Sequence, residues 1–362
     1  MKRILAIMLA LVLALARCAC GETKTTTNDS VGNDGTTTND FASNDGTGDT
    51  ASGTAGGSAE DAGQTAGGAD KVYSIGICQL IQHPALDAAS QGFMDVLTAK
   101  LGEGNVKFDY QNASGESVNC ATIVNGFVAD DVDLILGNAT AALASAASAT
   151  STIPILGTAI TDYGTALSVD NWTGSSGTNI SGTCDLAPLD QQAAMLNEWF
   201  PDAKTVGLLY CSAEPNSEYQ CNVIEGYLKD YGYEVKRYSF TDSNDVPGVT
   251  QTACDNCDVL YIPTDNTAAN NTEAIANIVL PAKVPVIASE EGICSGCGVA
   301  TLSISYYELG EITGEMAYRI LVEGADVSTM NVEFAPSVTK MYNAANCEAL
   351  GLTVPDGYEV IE

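Results

Sequence analysis

The sequence predicts an α/β protein of two similar lobes, each a parallel sheet flanked by helices. Three observations carry that expectation. From residue 71 short apolar runs alternate with stretches of helical periodicity. The alternation breaks over 162–186, rich in Gly, Ser, Thr and Asn, and then resumes. Polar turn residues follow the apolar runs directly, as where strands feed helices in βαβ units.

Taken in order, the chain opens with Lys2-Arg3 and an apolar core of 13 residues, 4–16, too short to span a bilayer and suited to a secretory signal peptide. It ends in Ala16-Arg17-Cys18-Ala19-Cys20-Gly21, which resembles the bacterial lipoprotein signal, with Cys20 after Ala19 as the lipidated residue. Residues 21–70 are mostly Gly, Ser, Thr, Asn, Asp and Ala, with Val31 and Phe41 as the only large apolar side chains. Such a segment cannot bury enough surface to offset ordering entropy, so a disordered tether is expected.

The folded part begins near Lys71. Ile75, Ile77 and Leu80 read as a buried strand, and Pro84 suits the first turn of a helix with Leu86, Ala89, Phe93, Val96 and Leu97 on one face. Strand 106–110, helix 117–129, strand 132–136, helix 139–149 and strand 153–156 follow. Beyond the irregular stretch come helix 189–199, strand 205–210, helix 217–231, strand 234–238, strand 259–262, helix 272–279 and strand 284–288. A helix over 306–322 with Leu309, Ile312, Met316, Ile320 and Leu321 on one face, a short strand at 332–334 and a tail from 350 complete the chain.

Composition removes whole classes of function. Lys and Arg total 14 against 46 Asp and Glu, a net charge of −32, and such a surface repels nucleic acid and anionic lipid alike. His83 is the single histidine. No G-x-S-x-G elbow, P-loop, G-x-G-x-x-G after the first strand or H-E-x-x-H is present, which argues against an enzyme and against a bound cofactor. Twelve cysteines include Cys254-x-x-Cys257 and Cys294-x-x-Cys297, which look like zinc-ribbon halves. The first pair precedes a strand and the second follows one, so in a parallel sheet they sit at opposite ends. Separate disulfides or buried thiols are expected, and no metal site.

Polar clusters stand directly after strands at 82–87, 137–140, 158–162, 214–217, 263–266 and 289–292. Each alone suits a turn or helix cap. Together they fall on the carboxyl edges of the two sheets, where α/β proteins bind ligands, and the helix N-termini there offer N–H groups to a carboxylate.

Seven blocks in order resemble the substrate-binding lipoproteins of ABC importers in the TrpX-like family, associated with tryptophan and tyrosine uptake. They are IGICQLIQHPALDAASQGF at 75–93, VDLILGNAT at 132–140, IPILGTAITD at 153–162, EPNS at 214–217, YIPTDN at 261–266, ASEEG at 288–292 and YYELG at 306–310. Glu290 and Tyr163 depart from the family pattern. The resemblance implies a type I periplasmic-binding-protein fold joined by three crossover segments, near 184–186, 302–304 and 324–330. Lobe one is then 71–185 plus 303–328, and lobe two 186–302 plus 329–362.

The resemblance further implies a lipid-anchored, extracytoplasmic, monomeric receptor that delivers a small molecule to an ABC permease. The expected guest is an aromatic amino acid, tryptophan or tyrosine. Thr140 and neighbouring amides would hold its carboxylate, and Asp265 and Glu290 its ammonium. Asn216 and Ser217 would orient it, with His83 and Leu86 along its side chain and Asp87, Thr161 and Asp162 completing the site. The alternatives are a ligand-sensing receptor of the same fold, or another small solute such as an aliphatic amino acid or nucleoside.

Overall fold

The protein's computed structural model describes residues 71–361. The leader, Cys20 and the whole of the expected tether, 21–70, lie outside them. The first lobe is built on β1 (Tyr73–Gln79), whose residues from Ile75 onward are buried, as a strand covered on both faces requires. The polar turn after β1 leads to α1 (Pro84–Leu101), with Pro84 in its first turn and Asp87 complementing the helix dipole. There follow β2 (Val106–Asn112), α2 (Ser117–Ala129), β3 (Leu134–Asn138), α3 (Thr140–Ala149), β4 (Ile155–Ile160), α4 (Tyr163–Leu167) and β5 (Ile180–Cys184). The last two lie inside the stretch read from the sequence as irregular.

The second lobe runs through α5 (Leu189–Trp199), β6 (Thr205–Cys211), α6 (Pro215–Asp230), β7 (Glu234–Phe240), α7 (Val246–Cys254), β8 (Val259–Ile262), α8 (Asn266–Ala269), α9 (Thr272–Ala282), β9 (Val286–Ala288), α10 (Glu291–Cys297) and β10 (Ala300–Ser303). The chain then returns to the first lobe as α11 (Tyr306–Leu321) and β11 (Glu333–Phe334). It ends in the second as β12 (Thr339–Tyr342), α12 (Ala344–Leu350) and β13 (Glu359–Val360).

The first sheet has six strands in the order β11-β5-β4-β3-β1-β2, and the second has seven in the order β13-β12-β10-β9-β8-β6-β7. All pairings are parallel except β10 with β12. Sheet membership puts the crossings at 185–188, 304–305 and 335–338. The third falls later than the sequence suggested, because Glu333 and Phe334 pair with Thr183 and Cys184 of β5 and so hold residues 329–334 to the first lobe.

Helix α11 lies against α1 at backbone contact. A Cβ on Gly92 would strike the carbonyl oxygen of Tyr307, and one on Gly310 would strike that of Ala89. Only glycine permits so close an approach. Phe93, Leu97, Met316 and Ala317 are buried in the cluster below this crossing, where each large side chain contributes roughly 1.5–3 kcal/mol. The ten cysteines of the described residues are all buried thiols. Among the described residues no helix is long and apolar enough to cross a membrane.

Candidate functional site

The carboxyl ends of the two sheets face one narrow, tightly closed cavity. The first lobe contributes His83, Ala85 and Leu86 from the start of α1, Ala159 and Thr161 from the end of β4, Asp185 from the first crossing, and Tyr306 from the start of α11. The second contributes Asn216 from α6, Thr264, Asp265, Asn266 and Ala269 from the β8–α8 turn and α8, and Glu290 before α10. Ala159 holds a left-handed backbone conformation, φ 54°, where the β4–β5 register shifts. Such strain in a non-glycine residue persists only where surrounding packing enforces it.

The cavity wall is acidic. Among the described residues no Lys or Arg forms an ion pair with Asp185, Glu214, Asp265 or Glu290. The four carboxylates differ in what already binds them. Glu214 accepts from the backbone N–H and side-chain amide of Asn266 and from the N–H and hydroxyl of Thr267. Asp265 caps α8 by accepting from Ala268 at 2.8 Å, and also accepts from the Cys211 amide at 2.6 Å. Glu290 caps α10 by accepting from the amides of Gly292 and Ile293. Asp185 alone accepts only hydroxyl donors, Thr161 Oγ1 at 3.0 Å and Tyr306 OH at 3.0 Å.

Burial pushes all three lining acids toward protonation. Asp185 is raised to about 6, Glu290 to about 7, and Asp265, which also faces the charge of Glu214, to about 8. A cation in the cavity would reverse the shift on whichever acid it touched. Each of the three accepts two hydrogen bonds and keeps lone pairs free. The donors to Asp265 and Glu290 include backbone amides fixed at helix starts, whereas those to Asp185 are hydroxyls that can turn, so Asp185 is the acid best placed to receive a cation.

An anion finds its place at α1. No side chain caps this helix, so the N–H groups of Ala85 and Leu86, at the cavity, lack an intrahelical acceptor. The 18-residue helix adds its dipole. Helix α3 is likewise uncapped by a side chain, but Thr140 does not line the cavity.

Of the residues nominated from the sequence, the structure brings His83, Leu86, Thr161, Asn216, Asp265 and Glu290 to the cavity wall. Asp87 instead accepts from Gln79 Nε2 at 2.7 Å, and Asp162 caps α4 through Thr165. Thr140 and Ser217 are buried and do not line the cavity. Sequence reasoning passed over Asp185 and Tyr306. Their signal was positional, since Asp185 directly follows a strand at a crossing and Tyr306 opens the helix after one.

The sequence model of the family described as ABC transporter substrate binding protein matches residues 74–360. A curated tyrosine-binding protein of Clostridioides difficile (strain R20291) is 34% identical over 284 residues, 78% of this chain and 82% of that one. Among solved structures, a complex with L-Trp from Streptococcus pneumoniae is similar at 29% identity and a TM-score of 0.76, covering 80% of this chain and 100% of its own. The ligand-free, open structure of a substrate binding protein with adhesive properties from Clostridium difficile is similar at 35% identity and a TM-score of 0.62, covering 80% and 99%. The two lobes have the type I periplasmic-binding-protein architecture of these neighbours, and the chain belongs to the ABC transporter substrate-binding proteins.

Proposed function

We propose that this protein captures an aromatic amino acid, tyrosine or tryptophan, outside the cytoplasm and delivers it to the permease of an ABC importer. It does so as a monomer, held to the membrane by a lipid on Cys20 at the end of a long polar tether. The observation that carries the reading is the pairing, in one cavity, of a buried carboxylate free to accept with an uncapped helix N-terminus. A guest that satisfies both carries an ammonium and a carboxylate, as an amino acid does. Asp185 takes the ammonium and the amides of Ala85 and Leu86 take the carboxylate. The side chain lies along Leu86, Ala159 and Ala269.

The names of the relatives supply the aromatic class, and the comparison of shapes supports a ligand-competent arrangement. This chain is closer in shape to the L-Trp complex than to the open structure, by TM-scores of 0.76 and 0.62, although its identity to the open one is higher. Sequence divergence does not explain that order, and a drawn-together disposition of the lobes does.

Isothermal calorimetry and thermal unfolding across the twenty common amino acids test the proposal. A ligand that binds only the folded state stabilises it by about 4 kcal/mol at a thousand times its Kd. Tyrosine or tryptophan is expected to raise Tm by several degrees. No shift with either aromatic amino acid overturns the assignment.

A further inference from the structure

We infer that His83 presents a bare acceptor nitrogen to the ligand, so that the site selects side chains ending in a hydrogen-bond donor, a phenol O–H or an indole N–H. The inference rests on the amino-acid reading above and adds to it the reason for the aromatic class. It follows from a chain of hydrogen bonds that fixes the histidine's tautomer from the far lobe.

The chain starts at Glu214. Both of its carboxylate oxygens already accept backbone N–H groups, those of Asn266 and Thr267, so the Asn266 side-chain nitrogen, 2.7 Å away, is the atom that faces it as a donor. That sets the amide the other way round for His83. Asn266 Oδ1 therefore faces His83 Nε2 at 3.1 Å, and an oxygen acceptor there requires the proton on Nε2. Reversing the Asn266 amide would put oxygen against the Glu214 carboxylate, which is repulsive.

With Nε2 protonated in a neutral ring, Nδ1 is an acceptor. Burial disfavours the doubly protonated ring and holds His83 below its ordinary pKa, although Glu214 and Asp87 pull the other way. His83 is 8% exposed and lines the cavity, and its Nδ1 is shut off from solvent with no hydrogen-bond partner among the described residues. Native proteins seldom leave a buried acceptor unpaired, because doing so forfeits its hydration without return. A ligand donor supplies the missing bond. Tyrosine and tryptophan carry one at the tip of the side chain, and phenylalanine does not. A site built around such a bond rejects the analogue that lacks it far more strongly than it rejects a change of one methylene.

The test is calorimetry of the full-length protein with tyrosine, tryptophan, phenylalanine, O-methyltyrosine and 1-methyltryptophan. The expected result is a wild-type preference of about 100-fold or more for tyrosine over phenylalanine, with both methylated ligands bound as weakly as phenylalanine. His83→Leu should narrow the tyrosine-to-phenylalanine gap to less than about ten-fold. His83→Asn, whose amide oxygen falls near the position of Nδ1, should restore part of it. Because His83→Leu also breaks the contact with Asn266, its Tm is measured alongside, and the wild-type ligand series stands without it. Equal wild-type affinity for phenylalanine and tyrosine overturns the inference and leaves the amino-acid assignment standing; it would mean that Nδ1 receives the ammonium or nothing. Failure of every aromatic amino acid to bind overturns both.

Discussion

Asp185 is a carboxylate that the fold has stripped of water and given only two hydroxyl donors in return. Its ionised form is therefore costly until a cation arrives. Asp185→Asn should weaken amino-acid binding by about 2–5 kcal/mol, roughly 30- to 4,000-fold, as loss of a buried charge partner does. The same change should raise the Tm of the unliganded protein, because the desolvation cost disappears; a variant that binds normally would move the ammonium elsewhere. The raised values of Asp185, Glu290 and Asp265, about 6, 7 and 8, set a pH dependence whose sign is unambiguous. Between the ordinary carboxylate range, about 4, and those values the folded chain holds protons that the unfolded chain has released. Unliganded stability is thus highest at the acid end of that window and falls as pH rises toward 8. Ligand affinity runs the opposite way, weakening up to ten-fold per unit below about pH 6 as Asp185 must lose its proton to bind. Differential scanning calorimetry from pH 5 to 8, with and without tyrosine, reads both trends. A flat unliganded Tm across that range would contradict them.

At the scale of elements, α1 joins packing to function, because one helix carries His83 and the free amides at its start and seats Gly92 against α11 at its middle. Gly92→Ala or Gly310→Ala should cost about 1–3 kcal/mol through overpacking against backbone that cannot yield, lowering Tm and, by displacing α1, weakening binding as well. Thermal unfolding with calorimetry checks this, and an unchanged Tm would mean that the helices separate freely. What the sequence disclosed at this scale follows from periodicity. Helices α2 and α5 and strand β8 lie where their apolar spacing put them, and β1 and α1 were legible from Ile75, Ile77, Pro84 and Phe93. Elements with weak patterns were not. Helix α7 begins Val246-Pro247-Gly248, poor helix formers held by burial of Val246 and Ala253. Strand β5 sits in a polar stretch and passes through Gly182 at φ 141°. Strands β10, Ala-Thr-Leu-Ser, and β12, Thr-Lys-Met-Tyr, lack the continuous apolar run that marks β8. The site was legible as an edge and illegible as roles. Asp265 and Glu290 are at the cavity as their positions after strands suggest, yet helix amides occupy their oxygens. Asp185 is one acid among 46 Asp and Glu, distinguished only by neighbours that the fold supplies.

At the scale of the whole molecule, capture depends on the lobes meeting. The His83–Asn266 hydrogen bond joins the first lobe to the second across the cavity, and Asn266 is itself held by Glu214. Opening the cleft breaks this bond and bares the acids to water, which lowers the cost of their charge and loosens the hold on an ammonium. Closure and ligand binding are therefore two sides of one equilibrium, and a ligand that bridges the lobes must shift it. The protein lends itself to a direct measurement, since the ten cysteines of the described residues are all buried and so poorly reactive toward thiol dyes. New cysteines at Glu116 and Ala213, both exposed and each just beyond a strand on the facing edges, take donor and acceptor fluorophores. Saturating tyrosine should raise energy transfer between them. Asn266→Ala should lower the transfer reached at saturation and weaken binding, chiefly through faster ligand release, because a contact formed on closure acts mostly on dissociation. Transfer that stays constant from ligand-free to saturated protein would mean that the lobes do not hinge, and the cavity would then have to fill by another route.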